Sequence, residues 1–268
     1  MTRITVLGAS GFVGSHLATK LKATGVDCYF PGRGEELSGR RLGHLIYAIG
    51  LTADFRTRPF ETVEAHVCKL LNVLQACEFD SLLYLSSTRL YQGQPGTAHE
   101  EDAITVTSLN SDHLYNVSKL MGESLALGSG RPARVVRLSN VYGGDFNSDN
   151  FLSAVIRDAV THQKVVLRTT LDSAKDYVSI DDVVEGLIRI ATEGRERIYN
   201  LASGVNVSNR DIMQRISELT GCSVDVEPDA RKIVFSPVSI ERMRGEFNFA
   251  PVCVLDELER LVNLYRQA

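Results

Sequence analysis

The sequence predicts an α/β fold, a doubly wound parallel sheet joined to a smaller, interleaved C-terminal lobe. Three observations carry this. Short apolar runs alternate with segments of helical periodicity as far as Leu138. The alternation returns between Asp181 and Leu201 after an irregular stretch. The first strand hands over to its helix through a glycine-rich turn.

Taken in order, Ile4 to Leu7 is an apolar run that stops at Gly8, and Phe12 to Ala23 carries Val13, Leu17 and Leu21 at helical spacing. Cys28 to Phe30 follows Gly25 and ends at Pro31-Gly32, which completes a β-α-β unit and implies parallel pairing. His44 to Ile49 and Ser81 to Leu85 are further strands. Between them a helix from Phe60 to Cys77 sets Val63, Val67, Leu70, Leu71 and Leu74 on one face. Leu114 to Leu127 reads as helix and Arg134 to Leu138 as strand. Beyond Asn140 the rhythm loosens into Val141-Tyr142-Gly143-Gly144, a helix from Asn150 to Thr161, and a hairpin-like segment from Lys164 to Val178. A helix opens at Asp181-Asp182, where acids suit the positive end of the helix dipole, and a strand runs from Ile198 to Leu201. Ser208 caps a helix reaching Leu219, and Leu255 to Tyr265 forms the last. The expected division is 1–145 with 176–202 for the parallel-sheet domain, and 146–175 with 203–268 for the second lobe.

The chain has 268 residues, 44% of them hydrophobic and 23% charged, which suits one large domain or two joined lobes and excludes a collagen, a coiled coil and a disulfide mini-protein. A net charge of −4 offers no electrostatic excess for a nucleic-acid backbone, so any anionic ligand must be met locally. Five cysteines, odd in number and without a C-x-x-C pair, disfavour a disulfide framework or a zinc site, and they are expected to be reduced. No histidine, cysteine or acid cluster has metal-ligand spacing. The opening MTRITVLGAS lacks an apolar leader segment, and nowhere do 18 apolar residues run together, so a cytoplasmic protein with no membrane span is expected.

Gly8, Gly11 and Gly14 stand three apart where the first strand becomes a helix. Glycines there let the backbone approach a pyrophosphate, and the N–H groups of Phe12 and Val13 at the helix start point toward it, as in a Rossmann dinucleotide site. An acid at the end of the second strand would accept from a ribose hydroxyl, whereas an arginine would pair with a 2′-phosphate. The sequence there is Pro31-Gly32-Arg33. Asp27 comes too early, and Glu35 and Glu36 read as solvated loop charges. Arg33 therefore points to NADP(H), with NAD as the alternative.

Leu82 to Leu85 delivers Ser86-Ser87-Thr88 to the carboxyl edge of a central strand, where open parallel sheets bind ligands. Tyr115 and Lys119 follow four apart on one helical face. An ammonium beside a phenol lowers its pKa from about 10 toward working pH, making it usable as an acid or base.

With these residues in order, the chain resembles the extended short-chain dehydrogenase/reductases of the nucleotide-sugar epimerase, dehydratase and reductase group. The matching stretches are GASGFVG, LYLSSTRLY, YNVSK, RLSNVYGG, KDYVSIDDVV, YNLASGVNVSNRDI and FNFAP. The resemblance implies that Ser87 orients the reacting oxygen with Thr88 beside it, that Tyr115 exchanges the proton, and that Lys119 also holds the nicotinamide ribose. It makes Tyr91 a structural neighbour. It assigns Asn140, Lys175 and Arg231 to the substrate diphosphate, with Lys175 standing where arginine is commoner. It also implies a homodimer through a four-helix face that includes the Phe60–Cys77 helix and the Tyr115 helix.

Two departures from the family stand out. Only about fourteen residues separate the second strand from the next at His44, where another strand and helix usually wall the adenine. His66 stands where an asparagine is usual and is read as a helix-face or supporting residue. Thr88-Arg89 replaces the Asp-Glu pair of the 4,6-dehydratases, which makes dehydration a poor fit. Reduction of a nucleotide-linked 4-keto sugar by NADPH is the favoured expectation, with 4-epimerisation on retained NAD as the alternative. A non-catalytic NADP-binding regulator on the same fold is the reading from a different class.

Overall fold

The computed structural model describes residues 3–267 apart from 53, 111, 145, 147, 149 and 234. Strand β1 (Ile4–Leu7) leads into helix α1 (Phe12–Thr24), which ends on Gly25 in the left-handed region, a conformation glycine adopts without a Cβ clash. Next come β2 (Cys28–Tyr29) and β3 (His44–Tyr47), then helix α2 (Pro59–Val63), a π-helical turn at Glu64–Cys68, and α3 (Lys69–Ala76). The helix expected from Phe60 to Cys77 is thus continuous but widened at its middle.

Strand β4 (Ser81–Ser87) is followed by a 3₁₀ turn at Thr88–Tyr91, helix α4 (His113–Gly128) and β5 (Ala133–Leu138). The remaining elements are β6 (Asn140–Tyr142), α5 (Phe151–His162), β7 (Lys164–Thr169), β8 (Ala174–Ser179), α6 (Ile180–Glu193), β9 (Ile198–Leu201), β10 (Asn206–Ser208), α7 (Asn209–Thr220), β11 (Ser223–Arg231), α8 (Glu241–Phe247) and α9 (Val254–Gln267).

The main sheet has six strands in the order β2-β1-β3-β4-β5-β9, every pair parallel. Its two faces are separately buried. Val6, Ile46, Leu83, Leu85 and Val136 pack with Leu17 and Leu21 of α1 and Val183 and Leu187 of α6. Leu7, Leu45, Leu82, Tyr84 and Val135 pack with Leu70, Val73 and Leu74 of α3 and Ala126 of α4. Adjacent residues of β4 serve opposite faces, as the two-residue period of a strand requires. The edge strand β2 is only two residues long, so this edge of the sheet is as trimmed as the short interval before His44 suggests.

A second core gathers α5, α7, α9 and β7 around Leu152, Ile156, Leu167, Ile212, Ile216, Leu258 and Leu261, and it takes Tyr142 and Tyr177 from β6 and β8. The expected hairpin over Lys164–Val178 does not form. β7 pairs in parallel with β11, while β8 lies between β10 and β6 in a separate three-stranded sheet. Among the described residues, no helix is long and apolar enough to cross a membrane.

Candidate active site

A cleft of about 740 Å³ opens at the carboxyl ends of β1, β3, β4 and β5, between the main sheet and the second core. Gly11, Phe12, Val13 and Gly14 line one part of it; Ser87, Thr88, Tyr115, Lys119, Asn140 and Lys175 line the rest.

The glycine turn fits a pyrophosphate. Gly8 has a φ of +87°, and a Cβ there would meet the Ala48 carbonyl at 2.8 Å. The Gly11 N–H donates to the Gly8 carbonyl at 3.0 Å. Gly11 caps α1 without a side chain, so the helix's first N–H groups stay open to an anion.

Tyr115 is 5% exposed. Its ring is bordered by Phe55 at 5.4 Å, by His66 edge-on at 5.4 Å and by the Arg89 guanidinium at 5.8 Å. Burial pushes the phenol above its ordinary pKa; a hydrogen bond with Ser87 and the charge of Arg89 pull it back. Ser87 ends β4 extended, and its Oγ accepts from the Arg89 N–H at 3.2 Å. Lys119 donates from Nζ to the Leu85 carbonyl at 2.8 Å, and burial holds its ammonium down to about 7, with Glu123 opposing. The cation acting on the phenol is therefore Arg89, not the expected Lys119, whose ammonium is turned to the Leu85 carbonyl. The sequence signal for Arg89 was only its position two residues after Ser87.

His66 is fully buried. Its Nε2 accepts from the Leu51 N–H at 3.2 Å, which leaves Nδ1–H to donate to Ser118 Oγ at 2.8 Å; Ser118 in turn donates to the Tyr115 carbonyl at 3.0 Å. Loss of solvation, aided by Lys119, lowers His66 to about 2, so the ring is neutral. The widened π turn sets this ring against the Tyr115 helix.

Asn140 sits on the cleft with Nδ2 donating to the Asp176 carbonyl at 2.7 Å. Lys175 rests over the Phe151 ring at 5.0 Å, and burial lowers its pKa. The Asp176 carboxylate is taken by Ser203 and by the Gly204 N–H. Two expected residues stand away from the cleft. Arg231 is exposed at the end of β11, paired in register with Thr169, because its strand belongs to the two-stranded sheet. Arg33 is exposed in the turn after β2. Glu35 is the exposed loop charge expected, and it is also held in place: its carboxylate accepts from the Tyr29 hydroxyl at 2.5 Å and the Gly32 N–H at 2.9 Å, and it pairs with Arg40 at 3.2 Å. No cluster of potential metal ligands occurs among the described residues.

A family model described as "NAD dependent epimerase/dehydratase family" matches residues 4–202. UDP-glucuronic acid decarboxylase 1 of Arabidopsis thaliana is 24% identical over 308 residues, covering 98% of this chain and 70% of that protein. GDP-6-deoxy-D-mannose reductase of Pseudomonas aeruginosa is 27% identical over 264 residues, covering 86% and 84%. Among solved structures, MoeE5, in complexes with NAD and either UDP-glucose or UDP-glucuronic acid, superposes with a TM-score of 0.84 at 22% identity over 99% of both chains.

Proposed function

This chain belongs to the NAD-dependent epimerase/dehydratase family, and from that premise we propose that it is an NAD(P)-dependent oxidoreductase acting on a nucleotide-linked sugar, with NADPH-dependent reduction of a 4-keto sugar as its reaction. The observation that carries the reading is the meeting of Ser87, Tyr115 and Lys119 with the glycine turn in one cleft.

Gly8, Gly11 and Gly14, with the N–H groups of Phe12 and Val13, hold the cofactor pyrophosphate at the α1 N-terminus. Bound there, the nicotinamide supplies a hydride. Ser87 orients the sugar's reacting oxygen, and Tyr115 delivers the proton to it. Lys119, which lines the same cleft, holds the ribose, and Arg89 supplies the positive charge beside the phenol. Thr88, Asn140 and Lys175 face the substrate, with Asn140 and Lys175 toward its diphosphate. Arg231, remote from the cleft, is left without a role in this scheme.

Arg33, exposed beside the short β2 edge, favours a 2′-phosphate and a cofactor that exchanges each turn. The observation favouring the second reading, 4-epimerisation on retained NAD, is Glu35, an acid held close to the end of β2 by Tyr29 and Gly32. A non-catalytic regulator would have no use for the joint presence of Ser87, Tyr115 and Lys119. Segments 1–145 with 176–202 form the cofactor domain in this account, and 146–175 with 203–268 the substrate lobe. The chain works as a cytoplasmic homodimer, burying Phe60, Leu71 and Met121, which are exposed on α2, α3 and α4. Loss of NADPH absorbance on adding a nucleotide-linked 4-keto sugar tests the reaction; interconversion of 4-hydroxy epimers without added cofactor would favour the second reading instead.

A further inference from the structure

The cleft holds a cation, Arg89, with no salt-bridge partner among the described residues. Arg89 lies in the 3₁₀ turn that follows β4, with its guanidinium stacked 5.2 Å from the Phe55 ring and 5.8 Å from that of Tyr115. Its Nε is buried with no hydrogen-bond partner among the described residues. A buried guanidinium with an unused donor is costly, and the cost is recovered when a planar anion takes the fork.

The charges around it sharpen the point. Arg56 also borders Phe55, but it is paired with Asp112 at 2.6 Å. Lys119 is bound to the Leu85 carbonyl, and Lys175, which repels Arg89, lies over Phe151. The cleft's two described acids are spoken for: Asp176 by Ser203 and Gly204, and Asp54 by Arg58 at 3.9 Å. Asp112 attracts Arg89 but is already neutralised by Arg56.

We propose that the sugar entering this cleft carries a carboxylate close to its reacting carbon, and that Arg89 is the specificity-determining residue that recognises it. The proposal rests on the nucleotide-sugar reading and narrows it to nucleotide-linked uronic acids. Position excludes the other anions of such a complex. The cofactor pyrophosphate belongs at Gly11 to Val13. The substrate diphosphate belongs with Asn140 and Lys175, on β6 and β8 of the other sheet. Arg89, by contrast, holds the Ser87 hydroxyl with its own N–H and flanks Tyr115 with its guanidinium. What it binds is attached within a bond or two of the atom those groups address.

The test is calorimetric titration of the cofactor-loaded protein, first with UDP, GDP and dTDP, then with the glucose and glucuronic acid conjugates of whichever nucleotide binds. The expected result is that the glucuronic acid conjugate binds about 10-fold or more tightly than the glucose conjugate, the yield of one charge-assisted pair. In Arg89→Gln this ratio falls to near one while nucleoside diphosphate and cofactor affinities hold, and Arg89→Lys, which keeps the charge and loses the fork, retains part of it. Wild-type protein that binds the glucose conjugate equally well or better overturns the proposal, as does a ratio unmoved in both variants. Absence of binding by any nucleoside diphosphate overturns the nucleotide-sugar reading itself, and this inference with it.

Discussion

Gly14 packs against the carbonyl of Gly8 so closely that a Cβ at Gly14 would stand 2.1 Å from the Gly8 oxygen. The turn before α1 thus exists only with a bare Cα at that point, and the same closeness brings the helix N-terminus onto the cleft. Gly14→Ala must push the turn open, so it is expected to weaken cofactor affinity by at least 10-fold and to cost about 1–3 kcal/mol of stability, as overpacking does. Cofactor titration alongside urea unfolding checks both. An alanine variant with wild-type cofactor affinity would mean that the turn does not cradle the pyrophosphate.

Arg137 and Glu123 form a buried bidentate pair at 3.0 and 2.7 Å, and Arg137 also donates to the Tyr91 hydroxyl at 2.7 Å. Removing one member strands the other in the core beneath the helix that carries Tyr115 and Lys119. Glu123→Gln is expected to lower unfolding free energy by roughly 3–5 kcal/mol, whereas replacing both residues with apolar side chains of similar volume costs much less. Denaturant melts of the two variants decide it: equal losses would mean that the pair stabilises by its net attraction.

Lys119 contributes a pH dependence whose sign is fixed. Burial holds its folded pKa near 7 against 10.5 for the reference side chain, so the unfolded chain binds the extra proton more readily. Stability is therefore penalised in full below about pH 7 and recovers as pH rises toward about 10.5. Lys119→Met removes this charge, and its stability advantage over wild type is expected to be largest at neutral pH and below, then to shrink across that window. Thermal melts over the same pH range measure it, and a pH-independent difference would show that the lysine is not desolvated as described.

Arg33 is expected to set cofactor choice. Arg33→Ala should weaken NADPH binding by about 10-fold, the value of one charge-assisted contact to phosphate, and leave NADH nearly unchanged. Fluorescence titrations with both cofactors give the answer. Tighter binding of NADH by the wild-type protein would transfer the selecting role to Glu35.

How much of this was legible in the sequence depends on how local each signal is. The strand–glycine–helix junction at Ile4 to Gly14 and the Tyr115–Lys119 spacing lie within a few residues, so apolar periodicity and helical geometry revealed them directly. The Lys164–Val178 segment misled because its partners are distant: β7 alternates buried and exposed residues as an edge strand does, but Ser223–Arg231 lies about sixty residues further along. That same pairing carries Arg231 away from the cleft. Glu35 reads as an exposed loop acid and is one; what the sequence does not show is that Tyr29 and Gly32 hold it. In the sequence Arg89 shows as the residue two after Ser87 that stands in place of a dehydratase acid; its burial against Phe55 and Tyr115 comes from three separate segments meeting.

The central claim is that Tyr115 moves the proton in a hydride-transfer reaction on a nucleotide-linked sugar. The measurement that addresses it most directly is the rate of NADPH oxidation by wild type and Tyr115→Phe on a panel of nucleotide-linked 4-keto sugars, with cofactor affinity determined in parallel. The account predicts turnover by the wild type on at least one member and a loss of about 10²–10⁴-fold in the variant, with cofactor binding unchanged. A phenylalanine variant that turns over at the wild-type rate would contradict it.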